Sequence, residues 1–317
     1  MRKILLASTA LVAAAGISAA SAEISLSGST KVQYISTSSN ATDNASTGEN
    51  GTSYGGDTNL GMSWSSTTDS GLSLSVSYDI DADEGSASIT GDWGTLTFND
   101  ANEAMGIGMG DADVVSNMRI HDASDSLTYT GGEAIGGGRL AYSNSISGIE
   151  FGIGLGDSGT STASNETSYG VAYSSSVNGA DVSIGYATAS TGSDNTSSNS
   201  TDLNATSMTL GVTVGSIGVS MAQNTQKSDN ATGVVDDLKS TNFGVTYAIS
   251  DSLTLQAASV AASGTSSGST GYKYDESAYG VAYTIASGVS LAVSYSDYSQ
   301  SDDTAGTGTN VQLSVAF

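Results

Sequence analysis

Carboxylates and one guanidinium crowd a single stretch of the 317-residue chain. Glu103, Asp111, Asp113, Arg119, Asp122 and Asp125 all lie between Ala101 and Gly136. Carboxylates set around a narrow aqueous passage attract cations and repel anions. A hydrolytic reading would need more. His121, the one histidine of the chain, stands beside Asp122, Ser124, Asp125 and Ser126. A nucleophile, a base and an orienter must however meet within hydrogen-bond reach, and sequence neighbours rarely do, so no enzyme is expected. One His and no Cys leave no ligand set for zinc or another transition metal. Calcium takes oxygen ligands, and Asp79, Asp81, Asp83 and Glu84 form an acidic cluster that could supply them. No EF-hand spacing accompanies that cluster, and a solvated acidic mouth is the alternative. Calcium therefore stays open there, and no other cofactor is expected.

Residues 101–136 are also the longest segment without a two-residue hydrophobic period. A long irregular connection inside a regular array is usually functional or disordered. Its charges, and Met105, Met109 and Met118, point to a packed loop, folded into the lumen of a barrel where it narrows the opening.

Nearly everything else alternates. Leu72, Leu74, Val76, Tyr78 and Ile80 alternate with Ser73, Ser75, Ser77, Asp79 and Asp81. Met208, Leu210, Val212 and Val214 are joined by Gly215-Ser216 to Ile217, Val219 and Met221. Tyr279, Val281, Tyr283 and Ile285 pass through Gly288 to Val289, Leu291, Val293 and Tyr295. Period-2 alternation marks strands with one oily and one polar face. Sixteen such strands can be counted, with short turns alternating with long Ser/Thr/Asn/Asp/Gly connections, residues 37–53 among them. That is the pattern of an all-β, antiparallel transmembrane barrel of sixteen strands. Val212, Leu255 and Leu291 take the lipid parity. Lys31, Asp57, Asp79, Asp81, Arg139 and Asp181 take the other parity and are expected on the pore wall, with Lys227, Lys239 and Lys273 in external loops or at their edges. A soluble barrel would turn its oily face inward and need large side chains to fill the core, and Ser and Gly cannot fill one. Tyr34, Tyr78, Tyr142, Tyr169, Tyr173, Tyr279 and Tyr295 at strand ends fit an aromatic belt.

The front end has its own logic. Met1-Arg2-Lys3, an apolar run from Ile4 to Ala15 and the small residues Ala20-Ser21-Ala22 read as a secretory signal peptide, residues 1–22, leaving a barrel over residues 23–317. Its removal takes Arg2 and Lys3 from the eight basic residues and leaves six, against 32 acidic ones. Such a charge excludes nucleic acid as a partner. The chain has no Pro, which suits strands whose every N–H donates to a ladder.

The opening Glu23-Ile24-Ser25-Leu26-Ser27-Gly28, the segment Gly91-Asp92-Trp93-Gly94-Thr95-Leu96-Thr97-Phe98 before the long loop, and the closing strand ending at Phe317 resemble alphaproteobacterial (Rhodobacter-type) general porins of Gram-negative bacteria. The resemblance covers residues 23–317. It implies a homotrimeric diffusion pore in the cell outer membrane, in contact with lipid and lipopolysaccharide, with the third external loop folded into the channel. It implies too that Phe317 is read by the outer-membrane assembly machinery. Such porins oppose an acidic constriction loop with clustered Arg and Lys on the wall, a cluster nearly absent here, so a cation preference is expected. The competing reading is a secreted acidic calcium-binding adhesin or surface structural β-protein. A solenoid of that kind should show a fixed repeat, and only Tyr-Gly-Val-Ala-Tyr at 169–173 and 279–283 recurs.

Overall fold

The computed structural model describes residues 23–39, 50–80, 84–98, 138–157, 165–191, 201–230, 235–266, 269–301 and 305–317. These form sixteen strands in chain order: β1 (Glu23–Ser39), β2 (Asn50–Thr67), β3 (Ser73–Asp79), β4 (Glu84–Gly91), β5 (Gly94–Phe98), β6 (Gly138–Ile146), β7 (Ile149–Asp157), β8 (Asn165–Val177), β9 (Ala180–Thr191), β10 (Thr201–Val214), β11 (Ile217–Asn230), β12 (Val235–Ser250), β13 (Leu253–Ser266), β14 (Ser269–Ala286), β15 (Val289–Gln300) and β16 (Ala305–Ala316). Each pairs antiparallel with its sequence neighbours, and β1 pairs with β16 to close the barrel. Closure removes the sheet edges that a membrane would leave unsatisfied.

The two faces follow the alternation. Leu155, Tyr169, Ile184, Met208, Leu210, Phe243, Leu255 and Tyr283 are exposed on the outside. Gly, Ala, Ser, Thr and Asn take the inside. Apolar side chains outside and small polar ones inside invert the order of a soluble barrel. No helix among the described residues is long and apolar enough to cross a membrane; strands would do the crossing.

Local chemistry sets the hairpins. Asn178-Gly179 has positive φ at both residues, 53° and 81°, the pairing that a tight hairpin turn with matching twist requires. The Gly91–Phe98 motif forms the β4–β5 turn. Gly94 has φ 116°, and a Cβ there would lie 2.5 Å from the Ser143 carbonyl oxygen, so glycine is required. Tyr142 Oη and Asn144 Nδ2 donate to the Trp93 carbonyl, and the Trp93 and Tyr142 rings stack 6.3 Å apart. This turn is therefore fastened to β6. At closure, Gly28 N–H donates to the Phe317 carbonyl at 3.0 Å and Phe317 N–H returns the bond at 2.9 Å. The Phe317 ring lies over Gly28, where a Cβ would come within 2.5 Å of it.

Several expected boundaries move. Residues 37–39 and 50–53 belong to β1 and β2 rather than to a loop running from 37 to 53. Lys227, Lys239 and Lys273 lie within β11, β12 and β14, not in loops. The ladder continues past the level where the outer face stops being oily, so the hydrophobic period ends before the strand does.

Candidate functional site: the barrel interior

The inward face of β1–β3 carries charge. Lys31 and Asp57 are register partners, with Lys31 Nζ 3.5 Å from Asp57 Oδ2. Their side chains are 41% and 67% exposed, so the pair contributes at most about 1 kcal/mol. One step along the wall, Asn59 Nδ2 donates to Asp79 Oδ2 at 2.6 Å. Three of the expected wall residues, Lys31, Asp57 and Asp79, thus meet in one patch. Ser25, Ser27, Ser75 and Ser77 around them are exposed, which is room for water.

Asp181 stands apart, on β9 near the short-turn end, where it accepts a hydrogen bond from Ser176. It lines a hydroxyl-rich hollow of about 590 Å³ with Ser174, Ser183, Thr213, Ser220 and Thr246. A Cβ at Gly211 or Gly218 would come within 2.5 Å of the Ser183 or Thr246 hydroxyl, so side chains there would have to rotate those hydroxyls away. Arg139 lies in β6, but its side chain is outside the described residues. So are Asp81, Glu103, Asp111, Asp113, Arg119, Asp122, Asp125, His121 and the whole of 101–136. Among the described residues no three His, Asp or Glu gather as a metal-holding group. Of the calcium cluster, Asp83 is likewise outside, Asp79 is bonded by Asn59, and Glu84 faces Asp79 in register.

The arc from β8 to β16 differs. Near the long-connection end its inward residues are small and buried: Ser168, Ala187, Ala189, Ala205, Ser207, Ala222, Ser240, Ala262, Ala278, Ser296 and Asn310. The carbonyl oxygens of Asn224, Asn242 and Asn310 have no hydrogen-bond partner among the described residues. Within this arc sits a carboxylate that the sequence reading missed. Glu276, 3% exposed, accepts a hydrogen bond from the fully buried Tyr274 hydroxyl at 2.8 Å. Tyr298 stacks on Tyr274 with centroids 6.2 Å apart, and Leu238 and Ala262 pack beside them. The signal was present: Tyr272, Tyr274, Glu276 and Ala278 continue the parity opposite Tyr279 and Val281. The hydrophobic alternation starts only at Tyr279 because the outward residues before it, Lys273, Asp275 and Ser277, are polar.

A closed barrel with apolar side chains outside and a polar, partly open interior is a membrane channel. Residues 7–317 match the family described as Gram-negative porin, and the chain belongs to it. No curated protein is significantly similar in sequence. Among solved structures, an anion-selective porin from Comamonas acidovorans superposes with a TM-score of 0.66 at 13% identity, over 94% of this chain and 100% of that one. The outer-membrane-expressed OmpT of Vibrio cholerae gives 0.71 at 11% identity, over 95% and 99%, and its in-vitro folded trimer form gives 0.68 at 10%, over 94% and 100%. These likenesses support the fold. The protein is an outer-membrane channel rather than an enzyme.

Proposed function

We propose that the channel passes small hydrophilic solutes by diffusion and prefers cations. The observation that carries this is the inner wall's charge. Among the described side chains, Lys31 is the one inward cation, and Asp57 holds it. Against it stand Asp57, Asp79, Asp181 and Glu150, an exposed residue of β7 on the parity opposite Ile149 and Phe151. Carboxylates lining a narrow aqueous path raise the local concentration of cations.

In the same reading, residues 101–136 narrow the lumen, with Glu103, Asp111, Asp113, Asp122 and Asp125 facing Arg119, and with Asp81 and Arg139 on the wall. The buried arc of Ala and Ser supports this, because bare lumen wall would be wet. The trimeric Vibrio neighbour supports a homotrimer here. The opening and closing motifs support kinship with the alphaproteobacterial, Rhodobacter-type porins. Phe317 serves as the mark read by the assembly machinery, and residues 1–22 as a cleaved signal.

The test is a reversal potential across a potassium chloride gradient. A cation preference is expected at low salt, weakening as the Debye length falls from about 10 Å at 0.1 M to about 3 Å at 1 M. An anion preference, or one indifferent to salt, would overturn it.

A further inference from the structure

The hollow around Asp181 is built by register. Ser176 of β8, Asp181 of β9, Thr213 of β10, Gly218 of β11 and Thr246 of β12 are successive partners and form one inward row across five strands. Ser183, Gly211 and Ser220 stand on the next row of the same face. The two glycines fall on the middle strands, so bare backbone floors the hollow and hydroxyls rim it. Among the described residues, Asp181 is the one charged group that lines it, and no aromatic ring does.

Size and lining select the ligand. The hollow's volume, about 590 Å³, lies within the range of about 300–1,000 Å³ usual for small-molecule sites. With strands about 4.8 Å apart, Asp181 and Thr246, three strands away, stand about 14 Å apart at their stems. A single ion cannot be held from both sides of that span, whereas a substituted six-membered ring reaches most of it.

The chemistry narrows the choice. Hydroxyls both donate and accept, a carboxylate only accepts, and an ammonium only donates. Asp181 is exposed and takes the Ser176 hydroxyl on Oδ1, which leaves Oδ2 for a further donor. A cationic donor there makes the stronger, charge-assisted bond. The hydroxyls of Ser183, Thr213, Ser220 and Thr246 then match a ligand whose own groups donate and accept. An anionic group finds no described cation in the hollow, since Lys31, on β1, is held by Asp57. A flat apolar ring finds nothing to stack on.

We propose that this hollow binds a small hydroxylated primary amine of the amino-sugar class, the ammonium on Asp181 and the hydroxyls on the Ser and Thr side chains. This rests on the reading of the lumen as a cation-preferring diffusion path, and names a solute class for it.

The experiment uses the folded, detergent-solubilised protein, checked by heat-modifiable migration. It is titrated calorimetrically at low salt with glucosamine, glucose and N-acetylglucosamine, at a pH where the free amine is protonated. Glucosamine should bind about tenfold more tightly than the two neutral sugars, the usual contribution of one hydrogen bond to a charged group. Asp181→Asn should abolish that preference, and Ser183→Ala/Ser220→Ala should weaken glucosamine severalfold. Asp57→Asn, on the other arc, should keep the preference, which separates a local site from attraction by the whole acidic lumen. Glucosamine binding that survives Asp181→Asn or the double substitution, that is lost in Asp57→Asn, or that glucose equals in the parent would overturn the assignment. The parent's single-channel record separates this from the wider reading. A cation-preferring channel that binds no glucosamine fails on the hollow alone, whereas a parent that forms no channel, or prefers anions, fails on the proposed function.

Discussion

The β1–β3 arc and the β8–β16 arc share one hydrogen-bonded ladder but have different interiors. On β1–β3 the inward Ser25, Ser27, Asp57, Asn59, Ser75 and Ser77 are open, and charge sits where water can screen it. On β8–β16, near the long-connection end, the inward residues are equally small, yet Ala187, Ala205, Ser207 and Ser240 are almost fully buried. Side-chain size alone therefore does not decide whether the wall is wet. Small side chains leave room, and that room holds either solvent or protein. The charge carried on the inner wall is also independent of the ladder. The Comamonas porin shares the fold and is named anion-selective, whereas here the inward charges are mostly acidic. Permeation chemistry lies in a few inward side chains on a common wall.

The largest expected effect would erase the contrast between the arcs. Deleting residues 104–124 in an assembled barrel should raise single-channel conductance and open the buried arc. The chain has no cysteine, so one introduced thiol reports cleanly. Ser207→Cys should resist a water-soluble thiol reagent in the full-length protein and react in the deletion variant, while Ser75→Cys reacts in both. Unchanged conductance, together with a Ser207→Cys that stays protected, would show that this segment neither narrows the pore nor covers the arc.

A second comparison adds bulk to each arc. Ala187 is 0% exposed, and overpacking a filled site typically costs about 1–3 kcal/mol. Ala187→Trp should lower the thermal midpoint of the folded barrel by several degrees. Ser75→Trp faces open lumen and should leave the midpoint nearly unchanged while reducing conductance. Equal destabilisation by the two would mean that the arcs do not differ in packing.

How much of this was legible in the residues depended on what solvent each face meets. Through the lipid band the alternation is unmistakable, because Val212, Leu255 and Leu291 face hydrocarbon while their neighbours face water. That contrast gave the sixteen strands, their closure and the inward parity of Lys31, Asp57 and Asp79. Above the band, the outer face turns polar, so the period fades while the ladder continues. Residues 37–39, the upper half of β14 and the outward lysines lie in strands that the alternation does not mark, for this one reason. Distances were a separate matter. Parity puts Asp181 and Asp57 on the same face, but only the strand order shows that Asp57 meets Lys31 while Asp181 sits in a hollow of hydroxyls.

The smallest expected effect sharpens the charged arc itself. Lys31 and Asp57 are both well exposed, so their ion pair adds little to stability, about 0–1 kcal/mol at most. Lys31→Gln should therefore leave the thermal midpoint within a degree or two. Its effect on permeation has a definite sign. Removing the ammonium leaves the Asp57 carboxylate unopposed on the open side of the lumen, so the reversal potential at low salt should shift further toward cations. Asp57→Asn should shift it the other way, by releasing Lys31. The double variant should fall between them, near the parent, because it removes one charge of each sign. Both shifts should shrink at 1 M salt, where screening acts within about 3 Å. Two single variants that moved the potential in the same direction would show that these side chains act by reshaping the wall rather than through their charge.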